Sequence, residues 1–327
     1  MKRFILILLF ISLCGCVDKG IYTNEEYETL KNFGIEKQAI EECANPETVQ
    51  KMLKGDFKKE NLPTYCKLKL DSVDGVNVMI DKGLIVEEIE EYLSYSYMRL
   101  ENLDRYIQYD SDSIQDKIIK VNMDLDYKPY EITKIVEKFD DYTLLVNKYN
   151  ALPEGYHPDD LESLEHVCIL GQDYSCPDMT IMIRKDVGKA WKEFCKEASE
   201  QGIELRAIAG LRTYDYQKSL YQYYENLNGK EYAEKYFARP GQSEHNSGLA
   251  IDFTFNNHVY YDIEDKEGYD WIIQNMHKHG FILRYPKDKT DITLYGYESW
   301  HLRYVGKEVA QIIYENNLTL EEYLAMQ

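Results

Sequence analysis

The sequence predicts an α+β fold, a small antiparallel sheet with flanking helices, preceded by a small helical N-terminal domain. Three observations carry that reading. From about residue 25 to 125, apolar residues recur at helical spacing, beginning with Tyr27, Leu30, Ile35 and Ile40. Beyond that stretch, short strand-like runs and amphipathic helices follow one another without the regular strand–helix–strand rhythm of a parallel sheet. Among them, residues 249–255 alternate, so that Leu249, Ile251, Phe253 and Phe255 share one face and Ala250, Asp252 and Thr254 the other.

With 327 residues the chain has room for one large domain or two smaller ones, each with its own core. The net charge of −20 argues against a nucleic-acid partner, because displacing counterions from phosphates needs clustered Lys and Arg, and no such stripe occurs. The same charge is repelled by anionic lipid, so any membrane attachment has to come from a lipid or a helix.

The first residues predict such an attachment. Lys2 and Arg3 precede an apolar run over residues 4–13. At about 1.5 Å per residue that run is too short for a bilayer core of roughly 30 Å, which is the profile of an export signal. It ends in Leu13-Cys14-Gly15-Cys16, which resembles the lipobox of bacterial lipoproteins. The resemblance implies cleavage before Cys16, lipidation of Cys16 and anchoring to the outer face of the cytoplasmic membrane in the bacterial cell envelope. An ordinary signal peptide with two incidental cysteines is the plainer alternative. Export permits disulfides. Cys168 with Cys176, and Cys43 with Cys66, are the candidate pairs, which leaves Cys195 over; the competing reading is that these are small buried hydrophobes.

The resulting organisation is a signal peptide over residues 1–15, a tether over 16–25, a helical spacer or docking region over 26–135 and a second domain over 136–327. In the helical region, Gly34-Ile35 followed by Ile40-Glu41-Glu42 recurs as Gly83-Leu84 followed by Ile89-Glu90-Glu91. This reads as two helix-turn-helix units, in which Gly stops one helix and an acidic stretch opens the next. Asp110-Ser111-Asp112-Ser113 is a solvated turn, since the glycine and final glutamate of a calcium loop are missing. In the second domain a strand is expected over 144–149 and a helix over 183–201, with Val187, Ala190, Trp191, Phe194 and Ala198 on one face. A strand follows over 203–209, then a helix opened by Arg212 and running toward Asn226. A helix over 268–279 is closed by Gly280, and a last strand over 300–305 precedes a C-terminal helix.

The chemistry gathers in two short blocks, Gly241–Asp252 and Glu298–His301. Asp252 is a carboxylate in mid-strand, and an unpaired buried carboxylate is costly, so it calls for a cation. The six residues between His245 and Asp252, Gly248 among them, suffice to turn His245 back over the Asp252 face. His301 can supply a third ligand. Glu298 lies three residues before His301 and would face away from it in a regular strand, so it has to precede the strand or sit at a bulge. Two imidazoles and one carboxylate hold zinc with a fourth position open, and zinc lowers the pKa of a bound water to about 7. Glu298 is then the general base, and Arg212, always charged, the donor to an oxyanion. The same ligand set also binds non-haem iron; the adjacent Glu298 and the exported, acid-rich context favour zinc hydrolysis. His157, His166, His258, His277 and His279 read as surface or internally satisfied residues.

The pattern Ser243-x-His245-x6-Asp252 with Glu298-x-Trp300-His301 resembles the VanY-type D-alanyl-D-alanine carboxypeptidases and their LdcB-type L,D-carboxypeptidase relatives. Gly210-Leu211-Arg212-Thr213-Tyr214-Asp215-Tyr216-Gln217 is similar to that family's arginine segment, and Asn147–Asn150 with Leu152-Pro153 to its entry segment. Phe281–Pro286 and Arg303–Gly306 match its flanks, so the resemblance spans about residues 142–308. It implies a zinc metallopeptidase that removes a C-terminal D-alanine from peptidoglycan stem peptides, with D,D- or L,D-specificity. It also implies roles: His245, Asp252 and His301 as zinc ligands, Glu298 as catalytic base, Arg212 on the oxyanion or the substrate carbonyl, and Gln217 and Ser243 lining the substrate site. The departures are Leu294 where relatives often carry Gly, Ser299 for Pro, and Asn246-Ser247 for Gln-Thr; they bear on pocket shape and specificity. The alternative is a zinc-stabilised peptidoglycan-binding or sensory module without catalysis, which the presence of both Glu298 and Arg212 disfavours. Endopeptidase action on cross-bridges differs only in how open the cleft is.

Overall fold

The computed structural model describes residues 21–164 and 181–327. The signal peptide, Cys16, His166 and the Cys168/Cys176 pair lie outside the described residues. The chain divides into two compact units, one ending at Leu103 and one running from Asp104 to Gln327. Among the described residues no helix is long and apolar enough to cross a membrane.

Helices are the regular elements of the first unit among its described residues. Its helices are α1 (Asn24–Asn32), α2 (Lys37–Glu41), α3 (Pro46–Leu53), α4 (Leu62–Tyr65), α5 (Val76–Asp81) and α6 (Val86–Ser94). The two glycines of the repeated pattern end α1 and α5 in the same way. Gly34 and Gly83 have φ of +68° and +82°. The next residue's N–H reaches back five positions, from Ile35 to Leu30 and from Leu84 to Met79, which satisfies a terminal carbonyl. The repetition runs further than the glycines: Glu60-Asn61-Leu62 and Glu101-Asn102-Leu103 each close a short 3-10 turn and open a helix. Leu30, Val49, Met52, Met79 and Ile89 fill the interior, and Cys43 is disulfide-bonded to Cys66. Cys195 is free.

Helix α7 (Leu103–Gln108) begins at the boundary residue, and α8 (Ile114–Asn122) follows in the second unit. Met123, after α8, packs with Ile292 and Ala325, and the Asn122 side-chain amide donates to the Ala325 carbonyl at 3.0 Å. Residues 104–135 therefore fold with the chain's C-terminal end, whereas the sequence pattern divides the chain at 135/136. An amphipathic helix such as α8 reads the same whichever core it joins.

A pair of short parallel strands follows, β1 (Lys134–Ile135) and β2 (Asn150–Ala151), and then an antiparallel pair, β3 (Leu161–Leu164) and β4 (Ile181–Arg184). The long helix α9 (Lys185–Ser199) leads to β5 (Leu205–Ala209), the helical pair α10 (Tyr214–Asn228) and α11 (Lys230–Tyr236), and β6 (Ala250–Phe255). Then come α12 (Tyr269–Asn275), β7 (Phe281–Leu283), α13 (Thr290–Thr293), β8 (His301–Tyr304), α14 (Lys307–Glu315) and α15 (Leu320–Ala325). The main sheet has four strands in the order β5-β6-β8-β7, every neighbour antiparallel. This is the α+β fold that the sequence predicts.

Three expected elements differ in detail. Residues 144–149 form no strand: the Asn147 side-chain oxygen accepts from the N–H groups of Tyr149 and Asn150, and that local turn takes donors a ladder would need. Residues 181–184 pair with β3, so the long helix begins at Lys185. The C-terminal helix is two helices, broken at Asn317, whose φ is +50°. Leu294 has φ +62° and caps α13, a left-handed position that glycine would occupy without strain.

One face of the main sheet is wholly apolar. Ile251, Phe253, Phe255, Phe281 and Leu302 pack with Val187, Trp191 and Phe194 of α9 and with Ile272 of α12. Trp191 meets Phe194, Phe253 and Phe281 at ring-centroid distances of 6.0–6.4 Å. Truncating Trp191 to Ala should lower stability by about 3–5 kcal/mol in denaturant unfolding. A loss below about 1 kcal/mol would show that this contact does not organise the core.

Candidate metal centre

The opposite face of the same sheet carries the polar groups. In the β6–β8 register Asp252 stands directly across from His301, which places the two side chains on one face about 5 Å apart at their Cβ atoms. On the other side of β6, Ala209 of β5 pairs with Asp252 across a register irregularity between Ala207 and Ala209. The chain that leaves this bulge carries Gly210 and Arg212 to the same spot.

His245 arrives on a single 3-10 turn, Glu244–Ser247, closed by Gly248 at φ +71°. A side chain at Gly248 would be strained in that conformation and would press on Arg184. Three hydrogen bonds stitch the turn to the arginine segment. Arg212 N–H donates to the His245 carbonyl at 3.1 Å, the Asn246 amide donates to the Arg212 carbonyl at 2.7 Å, and His245 Nδ1 lies 2.7 Å from the Gly210 carbonyl. With Nδ1 on a carbonyl, Nδ1 carries the proton and Nε2 presents a lone pair.

That Nε2 lies 3.2 Å from Asp252 Oδ1. His301 Nδ1 is 3.1 Å from the same oxygen and 3.3 Å from Glu298 Oε2. Glu298 precedes β8, so it shares the face of His301 despite its three-residue offset. Arg212 donates to the other oxygen of Asp252 at 2.8 Å, which leaves Oδ1 alone to face the imidazoles. His245, Asp252 and His301 are all buried, with one ligand atom from each lying within 4.8 Å of the others. His245 Nε2 and Asp252 Oδ1 have no hydrogen-bond partner. Two buried acceptors facing one another without a donor are a costly arrangement that a cation between them would relieve. The donor set, two imidazoles and one carboxylate oxygen, fits zinc with an open position.

The surroundings prepare these groups. Burial lowers the His245 pKa to about 4, with the Arg212 charge adding to it, so this imidazole is neutral and ready to ligate at physiological pH. Burial raises the Glu298 carboxyl above its ordinary range, opposed by the neighbouring His301, in the direction a general base needs. Burial also opposes ionisation of Glu244, but the Arg284 and Arg303 guanidiniums overcome it and hold that carboxyl well below its usual range.

The structure thus gathers five sequence-predicted residues, His245, Asp252, His301, Glu298 and Arg212. Gln217 lies buried near the start of α10, its amide donating to the Ala238 carbonyl at 2.8 Å while its oxygen has no partner. Ser243 is buried and begins the turn that carries His245. The remaining described histidines stand elsewhere: His157 is exposed, His279 pairs with Glu197, His277 stacks on Tyr314 and His258 lies against Phe255. Sequence reasoning assigned no role to Gly210, Glu244 or Asn246. All three flank recognised residues, but a backbone carbonyl and a carboxylate facing inward leave no spacing signal.

The family profile described as VanY, D-alanyl-D-alanine carboxypeptidase, matches residues 180–307. The chain is similar to the putative carboxypeptidase YodJ of Bacillus subtilis (strain 168), 39% identical over 204 residues that cover 61% of this chain and 72% of that protein. It is similar to the bifunctional D-Ala-D-Ala dipeptidase and D-Ala-D-Ala carboxypeptidase VanXYC of Enterococcus gallinarum, 38% identical over 151 residues, 45% of this chain and 79% of that one. Among solved structures it resembles the LdcB LD-carboxypeptidase, from work on peptidoglycan recognition, with a TM-score of 0.52 and 39% identity over 58% of this chain and 89% of that chain.

A Cβ at Gly210 would sit 2.5 Å from the Met182 carbonyl oxygen and 2.8 Å from Ile181 Cγ2. Gly210→Ala must therefore shift the carbonyl that fixes the His245 tautomer. Zinc or cobalt affinity, measured against a competing chelator, should fall about tenfold or more. Unchanged affinity in the folded variant would remove Gly210 from the support of the centre.

Proposed function

Since this chain belongs to the VanY family of D-alanyl-D-alanine carboxypeptidases and is a peptidase of the peptidoglycan-acting class, we propose that it is a zinc-dependent carboxypeptidase that removes a C-terminal D-alanine from peptidoglycan stem peptides, as a D,D- or L,D-carboxypeptidase. The observation that carries the proposal is the convergence of His245, Asp252 and His301, with Glu298 Oε2 3.3 Å from His301 Nδ1.

In this reading His245, Asp252 and His301 would hold the ion, His245 through Nε2, Asp252 through Oδ1 and His301 through Nδ1. Zinc bound there would supply Lewis acidity and make water a better nucleophile near neutral pH. Glu298 accepts the proton of the attacking water and later delivers it to the departing D-alanine amine, so that a C–O bond forms as the C–N bond breaks and no proton is left over. Arg212 keeps Asp252 to one ligand oxygen with one N–H and has further donors for the oxygen of the scissile carbonyl. Gln217 and Ser243 line the substrate site, and the partnerless Gln217 oxygen is free to accept from a peptide N–H. The lipobox-like start supports anchoring through Cys16 at the outer face of the cytoplasmic membrane, where stem peptides are found. The helices of the first unit then act as spacer or docking element. The presence of Glu298 and Arg212 together at the centre disfavours a purely binding or sensory role.

The test is incubation of the zinc-loaded protein with pentapeptide and tetrapeptide stems and identification of the products by mass. Loss of one D-alanine from either is expected. Glu298→Ala should retain zinc and lose about 10²–10⁴-fold in kcat. Wild-type turnover in that variant would sink the mechanism, and peptide binding without release by the native protein would revive the binding-module reading.

A further inference from the structure

The histidine ligands are backed differently. His245 has a carbonyl, that of Gly210, on its outward nitrogen. His301 has a carboxylate: its Nε2 faces Glu244 Oε2 at 3.7 Å. Both atoms are buried, and neither has a hydrogen-bond partner. Hydrogen-bond length is about 1 Å shorter, so a small rotation of the His301 ring as Nδ1 draws toward a cation would close the contact.

Glu244 is itself held from behind. Its Oε1 accepts from Arg284 Nε at 2.7 Å and from Arg303 Nη1 at 2.7 Å. Arg303 also donates to the carbonyls of Tyr142, Leu144 and Tyr304, which fixes it to the backbone. Arg284 uses its other two nitrogens on Glu321 of α15, at 2.9 and 2.6 Å. All four charged side chains are at most 2% exposed. Two arginines and two glutamates thus form a neutral, fully buried chain of contacts from the last helix to the back of His301. Every Glu244 and Arg284 group in it has a partner except the one oxygen that faces the imidazole.

Resting on the reading of this centre as a zinc site, we propose that Glu244 is the positioning residue for His301. It accepts the Nε2–H, fixes the tautomer that presents Nδ1 to the ion, and is itself set by Arg303 and Arg284 and, through Arg284, by Glu321 of α15. Glu244 touches neither substrate nor ion, and its effect passes through the ligand.

The test measures metal binding rather than turnover. Wild type and Glu244→Gln are loaded with Co²⁺, with affinity read by chelator competition and ligand geometry by the visible absorption of the ion. A gain of charge by the buried network can unfold the single variant, so the charge-balanced double variant Glu244→Gln/Arg303→Met is measured beside it. Affinity should fall about 10–100-fold with an altered cobalt spectrum in whichever variant folds. Wild-type affinity and spectrum in a folded variant, even one of lowered Tm, would overturn the proposal by reducing Glu244 to a structural ion pair. Long-range ¹H–¹⁵N NMR of the zinc-loaded native protein decides the matter if neither variant folds. His301 protonated at Nε2 is expected, and protonation at Nδ1 overturns the inference. If native protein takes up neither metal, the zinc reading itself has failed, an outcome distinct from either of these.

Discussion

The centre depends on one strand pairing. Asp252 opposite His301 in the β6–β8 ladder puts a carboxylate and an imidazole on the same face at the closest spacing a sheet offers. A slip of one residue between β6 and β8 would turn one of the two to the other face, and there the space is filled by Trp191, Phe194 and the aromatic residues around them. The apolar face therefore does more than stabilise the unit. It makes the register costly to change, and the register is what brings two of the proposed ligands together. The third proposed ligand and the proposed base need no strand, because His245 and Glu298 lie on short connections that end against the same ladder.

A second constraint is electrical. Four charged side chains are buried beneath the centre, although well-packed apolar residues in such positions are often neutral or stabilising by comparison. Arg303 and His301 alternate on β8, so they lie on one face, and Glu244 neighbours His245 in sequence. Half of the cluster, Glu244 and Arg303, thus comes from the very segments that carry two of the proposed ligands, and Arg284 and Glu321 come from the end of β7 and from α15. An apolar replacement would pack as well, but it would leave the outward nitrogen of His301 facing nothing. The arrangement is better understood as support for a ligand than as a contribution to stability.

Much of this was legible in the sequence because it was periodic or sparse. The alternation over 249–255 marked β6, and the face of Val187, Trp191 and Phe194 marked α9. The three-residue offset of Glu298 from His301 required a position ahead of the strand, which is where it stands. What escaped was set by non-local or backbone partners. The pairing of residues 181–184 with β3 shortened a helix, the side chain of Asn147 replaced a strand by a turn, and α8 joined a core more than 150 residues away in sequence. Gly210 supports His245 through its carbonyl, an atom every residue has, so only the crowding around its missing Cβ reveals why glycine stands there.

Arg212 joins the two halves of the chemistry. Its guanidinium holds Asp252 Oδ2, while its own N–H and carbonyl are tied to the turn that carries His245. A carboxylate with one oxygen taken by arginine ligates through the other alone, and that keeps a position open on a four-coordinate ion. The residue proposed for the oxyanion is therefore also placed to shape the proposed ligand set. Loss of turnover after its removal would by itself not distinguish the two roles. Metal affinity would, because an oxyanion donor acts only when charge develops on the substrate, whereas a group that holds Asp252 acts before any substrate arrives.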